Sequence, residues 1–379
     1  MKTRTHWDVF CHVVDNYGDI GVCWRLARQL ASEHQLQVRL WVDDLASFAK
    51  LAPALDPTCV SQILCGVEIR HWTVPFPDVE PAELVIEAFA CDLPQNYLAA
   101  MAAKSEKPLW INLEYLSAET WIEDRHGLPS PHPRLPLTKY FFFPGFTQRS
   151  GGLLREAGLF TTRNAFQNST QAKITWWQAL GITPRADALT VSLFAYPNAP
   201  FGPLLEAWSA GPTPIVCVVP EAPFSAHLAA AFSCDSLSAG KRVQRGNLTL
   251  IGLPFLPQPE YDRLLWACDL NFVRGEDSFV RAQWAGKPLI WQIYPQQDAV
   301  HREKLETFLA TYCRAAPETQ TLPGFWRAWN GFDGNPADAW PALVATLSAL
   351  NRHAQRWATQ LAQQPELAAK LVNFSKKSL

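Results

Sequence analysis

Residues 13–21 of this 379-residue chain read Val-Val-Asp-Asn-Tyr-Gly-Asp-Ile-Gly. They follow an apolar run, 9–14, and precede a helix-like segment, 22–30. Strand–loop–helix junctions of this kind usually offer backbone N–H groups to a phosphate. Here two carboxylates, Asp15 and Asp19, stand where the anion would be expected, so the turn is suited to something else. A purely local reading exists for both: Asp19 caps the helix and Asp15 closes an Asx turn.

A second charged turn lies in the other half of the chain, 269–288, Asp-Leu-Asn-Phe-Val-Arg-Gly-Glu-Asp-Ser-Phe-Val-Arg-Ala-Gln-Trp-Ala-Gly-Lys-Pro. A strand ends at Val273, and Gly275 permits a sharp turn. Asp277 or Ser278 then caps a helix that stops at Gly286, with Pro288 beyond. The unpaired N–H groups of that helix start, assisted by Arg274, suit a diphosphate. Glu276 suits sugar hydroxyls, because a carboxylate repels phosphate but accepts O–H hydrogen bonds. Upstream, Phe255 and Gln258 open a helix and could give a pyrimidine base a stacking face and an amide. Phe194 and Tyr196 follow an earlier strand and offer another face, and Tyr294 is a weaker candidate of the same kind. The competing reading is a capped helix with an incidental charge cluster and aromatics that belong to the core.

The elements that must carry these turns are short buried strands alternating with helices. The first half has strand patterns at 7–13, 38–42, 84–87, 109–112 and 139–143, and its clearest helix is 21–34, with Leu26, Leu30 and His34 on one stripe. A polar stretch, 161–187, is helical around 171–180. A second series of strands follows at 189–194, 214–219, 248–252, 269–273 and 289–293. Such alternation indicates parallel sheets covered by helices on both faces. The expected organisation is a Rossmann-like acceptor-binding domain over 1–160, a linker over 161–187 and a Rossmann-like nucleotide-sugar domain over 188–350. A final helix over 351–379, broken or kinked at Pro365, packs back on the first domain. The two domains face each other across a cleft, with the ligand at the carboxyl ends of the strands. One diphosphate site in the C-terminal half of such a pair is the architecture of the GT-B glycosyltransferases. It leaves the first turn of the first domain free to be acidic.

Composition narrows the class. Apolar residues make up 48% and charged residues 18% of the chain, as in a globular protein. A net charge of -2 gives no electrostatic basis for nucleic-acid binding. Thirty prolines and sixteen tryptophans point to ordered loops and broad aromatic packing. Nine cysteines, none in Cys-x-x-Cys and most within apolar runs, read as reduced, buried thiols of a cytosolic protein. Neither a leader-like apolar region nor a membrane-length run is evident, so a soluble, cytoplasmic protein without a membrane partner is expected. No metal-ligand cluster is apparent.

The chain resembles the protein-arginine rhamnosyltransferases that modify bacterial elongation factor P. The resemblance spans nearly the whole sequence. It rests on 15–21, on 87–94 (Glu-Ala-Phe-Ala-Cys-Asp-Leu-Pro), on 114–119 (Glu-Tyr-Leu-Ser-Ala-Glu), on Ser150-Gly151-Gly152-Leu153 and on 274–288. Ala88 replaces a threonine common in the family. The resemblance implies a GT-B fold, dTDP-β-L-rhamnose as donor, and transfer with inversion to an arginine of folded elongation factor P through its N-terminal domain. It also implies that Asp15, Asp19 and Glu276 matter for catalysis, that Asn16, Tyr17 and Gly18 join the donor-binding residues, and that no metal or other cofactor takes part. On that basis Asp19, next to the helix start, is read as the base and Asp15 as the partner that orients the guanidinium. Two further readings differ in class: a GT-B transferase with a small-molecule acceptor, and a non-catalytic sugar-nucleotide-binding module.

Overall fold

The computed structural model describes residues 5–15, 17–296 and 300–377. It separates into two compact α/β units, Met1–Ala157 with Leu361–Leu379, and Gly158–Gln360.

The first unit is built on strands β1 (His6–Cys11), β2 (Gln37–Val42), β3 (Ser61–Leu64), β4 (Val67–His71), β5 (Leu84–Ala88), β6 (Leu109–Leu113), β7 (Pro129–Pro131) and β8 (Thr138–Phe142). They form one sheet in the order β3-β4-β2-β1-β5-β6-β8-β7, with only the β3–β4 and β7–β8 pairs antiparallel. Helices α1 (Gly18–His34), α2 (Leu45–Leu51), α3 (Gln95–Ala103) and α4 (Trp121–Arg125) complete its first part. The inner strands β5 and β6 are buried at every residue because both faces are covered. Helix α1 is buried along every residue from Asp19 to Ala27, well beyond the single stripe visible in the sequence. Asp8, buried on β1, receives the Arg39 guanidinium through two hydrogen bonds of 2.6 and 2.7 Å and the Tyr97 hydroxyl, tying β2 and α3 to the central strand.

The second unit begins with helices α5 (Leu159–Asn168) and α6 (Thr170–Ala179), so most of the stretch expected to be a linker is regular structure of this unit. Strands β9 (Leu189–Leu193), β10 (Ile215–Pro220), β11 (Arg242–Arg245), β12 (Leu248–Leu253), β13 (Leu270–Arg274) and β14 (Leu289–Gln292) form a sheet in the order β11-β12-β10-β9-β13-β14. Only β11 is antiparallel to its neighbour. Helices α7 (Phe201–Ala210), α8 (Ser225–Ala231), α9 (Gln258–Ala267), α10 (Asp277–Ala285), α11 (Val300–Tyr312), α12 (Leu322–Trp329) and α13 (Pro336–Leu361) surround it. Tryptophan fills this core: Trp208 meets Phe272 and Trp340, and Phe308 lies between Trp291 and Trp326.

Helix α14 (Leu367–Lys377) follows α13 after a break that contains Pro365. It returns to the first unit, where Leu367 N–H donates to the Leu153 carbonyl and Lys370 Nζ to the Ser150 carbonyl. The two glycines before Leu153 make room. A Cβ on Gly151 would sit 2.6 Å from the Phe142 ring, and one on Gly152, at φ 76°, 2.7 Å from the Pro365 carbonyl oxygen. All nine cysteines are free thiols, but only Cys11, Cys23, Cys217 and Cys268 are buried. Cys65 is exposed instead in the β3–β4 turn, where its φ of 51° and that of Gly66 at 78° make the two-residue hairpin.

Two stability predictions follow from buried charge. Arg281 on α10 and Asp262 on α9 are joined by hydrogen bonds of 2.9 and 2.6 Å, with both side chains buried. Asp262→Ala removes both hydrogen bonds from a buried guanidinium and is expected to lower stability by about 3 kcal/mol or more, whereas Asp262→Leu with Arg281→Met should recover most of it; urea midpoints of the three proteins decide this. In the first unit, burial, with the Lys370 ammonium adding to it, pushes the His126 imidazole down to about 4, and its Nδ1 accepts the Phe143 N–H at 3.1 Å. The unfolded ring binds a proton near its ordinary value of about 6.5. The contribution of the neutral ring is therefore complete above that pH and is lost as pH falls toward 4. His126→Gln should flatten this part of the acid limb; an unchanged limb would contradict the assignment.

Candidate active site

Strands β1, β5 and β6 are parallel neighbours. The loops that follow them open from the carboxyl edge of the sheet, the edge at which open α/β sheets bind ligands. The first of these loops is held by carboxylates. Helix α1 starts at Gly18, three residues before the expected start, so Asp19 lies inside its first turn rather than at the cap. Tyr17 occupies the cap position without a side-chain cap bond. The Asp19 carboxylate, 3% exposed, turns back and accepts the N–H groups of Val14 and Asp15, both at 2.8 Å and both on Oδ2. Main chain contributes to this turn: Gly18 N–H donates to the Asp15 carbonyl at 2.7 Å. Gly18 is required sterically, since a Cβ there would stand 2.8 Å from Asp15 Oδ2. Asn16 lies outside the described residues. The Tyr17 hydroxyl accepts from Lys50 at 3.3 Å, which fixes the ring over α2.

Asp43, directly after β2, does for the start of this loop what Asp19 does for its end. Its Oδ1 accepts Val13 N–H at 2.9 Å, and its Oδ2 lies 2.5 Å from His12 Nδ1. The sequence reading passed over it because an aspartate between a strand and α2 looks like an ordinary turn residue. On the other side of β1, after β5, Phe89, Ala90 and Asp92 take φ values of 58°, 53° and 54°. Phe89 stacks on Tyr115 of the loop after β6, with ring centroids 4.5 Å apart and an 18° interplanar angle.

The second unit has its own carboxyl-edge cluster after β9, β13 and β14. Arg274 ends β13 and is 5% exposed. Its guanidinium carbon lies 4.7 Å from the Phe194 ring centroid and 4.5 Å from that of Tyr196. The two aromatics read from the sequence as faces for a base thus pack on Arg274. Gly275 turns at φ 62°, and Glu276, not Asp277 or Ser278, takes the cap position of α10. It makes no side-chain cap bond. Ser278 is buried, and its hydroxyl donates to the Arg274 carbonyl and accepts the Arg274 N–H at 3.2 Å, bracing the turn from inside. Asp277 Oδ2 accepts from the buried Gln258 amide at 3.3 Å, which joins the α9 and α10 starts. Phe255 is half-buried beside the start of α9. Tyr294 is exposed, edge-on to Tyr196 at 5.5 Å. Gln292, not anticipated, links these parts: its Oε1 accepts Tyr196 N–H at 2.7 Å and its Nε2 donates to Asn198.

Among the described residues, Asp15 and Asp19 lie at a carboxyl strand end in the first unit, and Arg274, Glu276 and the aromatic residues at such ends in the second. Among the described residues no group of three or more His, Cys, Asp or Glu side chains could hold a metal ion. No helix among them is long and apolar enough to cross a membrane.

Residues 7–376 match the family model of the elongation factor P rhamnosyltransferase EarP. The protein-arginine rhamnosyltransferase of Pseudomonas putida is 50% identical over 378 residues, covering 99% of this chain and the whole of that relative. A solved structure that gives the structural basis for EarP-mediated arginine glycosylation of elongation factor P is 39% identical. It covers 99% of both chains with a TM-score of 0.71. HepE of Anabaena, solved with UDP and glucose, is 13% identical with a TM-score of 0.51 over 99% of this chain and all of its own, a likeness of fold alone. The chain belongs to the elongation factor P rhamnosyltransferase (EarP) family and is accordingly a protein-arginine rhamnosyltransferase of GT-B fold, built from two Rossmann-like units.

Proposed function

We propose that this enzyme, acting in the cytoplasm, transfers L-rhamnose with inversion from dTDP-β-L-rhamnose to an arginine side chain on the folded N-terminal domain of elongation factor P. The observation that carries the acceptor half is the anchoring of the Asp15–Asp19 loop through Asp19 Oδ2. It aims an acidic turn at a strand edge where related folds bind phosphate.

Arginine is a poor nucleophile because its charge is delocalised. A carboxylate of ordinary pKa near 4 faces a guanidinium above about 12, a gap of about 9 units or roughly 12 kcal/mol, so it cannot take the proton beforehand. The proton must leave as the N–C bond forms, with a carboxylate receiving it in the transition state. Asp19 is the base in this scheme. Asp15 orients the guanidinium and localises its charge on the nitrogens that do not react. Attack on the anomeric carbon breaks its bond to the diphosphate oxygen, which departs with the electron pair as dTDP; the β-linked sugar becomes α-linked to nitrogen. Arg274 and the unpaired N–H groups at the start of α10 receive the diphosphate charge. Asp277 and Ser278 brace that start, and Gly275 admits the phosphates. Glu276, not engaged in capping, faces the sugar hydroxyls. Phe255 and Gln258 address the thymine, and Tyr294, with Tyr196 and Phe194, closes the donor side. Asn16, Tyr17 and Gly18 count among the donor-binding residues in this scheme. A folded acceptor presents its arginine on a loop already rigid, which avoids an ordering cost of roughly 1–2 kcal/mol per residue.

Incubating the enzyme with dTDP-β-L-rhamnose and elongation factor P should add one deoxyhexosyl group to the acceptor, read by intact mass. Asp19→Asn and Asp15→Asn are expected to slow that gain by about 10²–10⁴ while dTDP binding stays near the wild-type value. Arg274→Ala should lose dTDP binding. If either Asp variant loses dTDP as fully as Arg274→Ala, the acceptor assignment of the pair is wrong. In thermal melts dTDP should also stabilise the protein well above dADP. Equal shifts would remove base recognition by Phe255 and Gln258.

A further inference from the structure

We propose that the stacked Phe89–Tyr115 pair, with Glu114 beside it, is the seat of the acceptor arginine. The inference rests on the acceptor reading above and names the side chains that grip it.

Three observations meet here. The first is backbone strain: Phe89, Ala90 and Asp92, none of them glycine, occupy the left-handed region within four residues. Such conformations persist where surrounding structure forces them, and they concentrate at functional sites. The surroundings here do force them. Phe89 N–H donates to the Leu113 carbonyl at 2.7 Å, Ala90 N–H to Asn112 Oδ1 at 3.2 Å, and Cys91 Sγ to the Phe10 carbonyl at 3.5 Å. Core packing does not require this geometry, because Ala90 and Asp92 are exposed.

The second is what the strain delivers. It turns Phe89 onto Tyr115, a residue that remains 40% exposed. Val14, 59% exposed, stands at the neighbouring loop. Large apolar groups left in water at the ends of adjacent strands mark a surface that meets a partner. The third is charge. Buried Asn112 accepts from Ala90 and donates to Glu114 Oε1 at 2.5 Å, so the same side chain that fixes the strained turn also fixes a carboxylate. Glu114 joins Asp15 and Asp19 along one edge, spanning β1, β5 and β6, roughly 10 Å at about 4.8 Å per strand.

A flat aromatic face flanked by fixed carboxylates is complementary to one common side chain above others. A guanidinium stacks on rings, takes carboxylates through its planar edge and carries an apolar stem that covers ring carbon. A lysine ammonium would gain the charge but not the stacking. The occupant is therefore an arginine that protrudes from a folded protein, its stem along Tyr115 and its head toward the aspartates.

The test uses the full chain with folded elongation factor P. Tyr115→Ala is expected to raise the acceptor KM by about tenfold, the size of a partly desolvated ring–cation contact. The donor KM and the thermal shift by dTDP should not move. Tyr115→Phe, which keeps the ring, should recover most of the loss. Phe89→Leu removes the stacking partner with little change in volume and should fall between the two. An unchanged acceptor KM in Tyr115→Ala overturns the proposal, as does a matching loss of the dTDP shift, which would mean that the pair serves the donor or the fold. Asp19→Asn separates the levels: if it stops transfer while Tyr115→Ala does not weaken the acceptor, the acceptor reading stands and this seat falls. No transfer by the wild type would sink both.

Discussion

In the proposed reaction, a carboxylate that receives a proton from a guanidinium has to be held in one direction and yet keep an oxygen for its substrate. Asp19 meets both conditions by accepting two backbone N–H groups on the same atom, Oδ2. Burying a carboxylate without donors costs several kcal/mol. The two N–H groups supply the missing hydrogen bonds and also fix the loop that bears Asp15. The early start of α1 follows from this arrangement, because Asp19 reaches back to Val14 only from the first turn of the helix. So does glycine at 18, which admits the Asp15 carboxylate. Asp43 secures the other end of the same loop from the neighbouring strand. The acidic turn is thus pinned to β1, β2 and α1 together, and a shift in any of them would turn the Asp19 carboxylate away.

The second unit handles the opposite charge with different means. A ring attracts a guanidinium without neutralising it, so Phe194 and Tyr196 hold Arg274 in place without cancelling its charge themselves. Ser278 closes the turn beneath it, and Gln292 locks the Tyr196 backbone to β14. Positions read in the sequence as ligand contacts act in part as the frame that holds Arg274. This is a common outcome when a site must be pre-organised: the group that meets the ligand needs neighbours of its own, and from sequence the two kinds look alike.

What was legible depended on the range of the interaction. The alternation of buried strands and helices is local, and the inner strands β1, β2, β5, β6, β9, β10, β12 and β13 lie within one or two residues of where their apolar runs place them. The edge strands β3, β7 and β11, and β4 beside β3, were not legible, because half-exposed residues such as those of Ser61–Leu64 carry no continuous apolar run. Helix caps failed for the same reason at both charged turns. Asp19 and Ser278 have side chains that bond to backbone, as a cap does, but to backbone outside the cap position, and only the folded loop decides which N–H group is near. Asp43, Asn112 and Gln292 were invisible as site residues, since each acts on a loop distant in sequence.

The motifs that carry the family likeness also differ in what they do, and geometry separates them. Asp15–Gly21 and Arg274–Pro288 hold charged groups at strand ends. The stretch from Ser150 to Leu153 is as distinctive in sequence, yet its glycines face the Phe142 ring and the Pro365 carbonyl, and its backbone takes hydrogen bonds from α14. A side chain there would push the C-terminal helix from the first unit. The stretch Glu87–Pro94 lies between these cases. Glu87 is buried against Trp110 and Lys139, a structural role, whereas two residues later Phe89 is turned outward by a backbone that nothing in the core demands. A motif shared along a family is therefore evidence of constraint but not of contact with a ligand. The distinction comes from asking, residue by residue, whether the strain or the missing Cβ serves a neighbour inside the fold or leaves a group facing out of it.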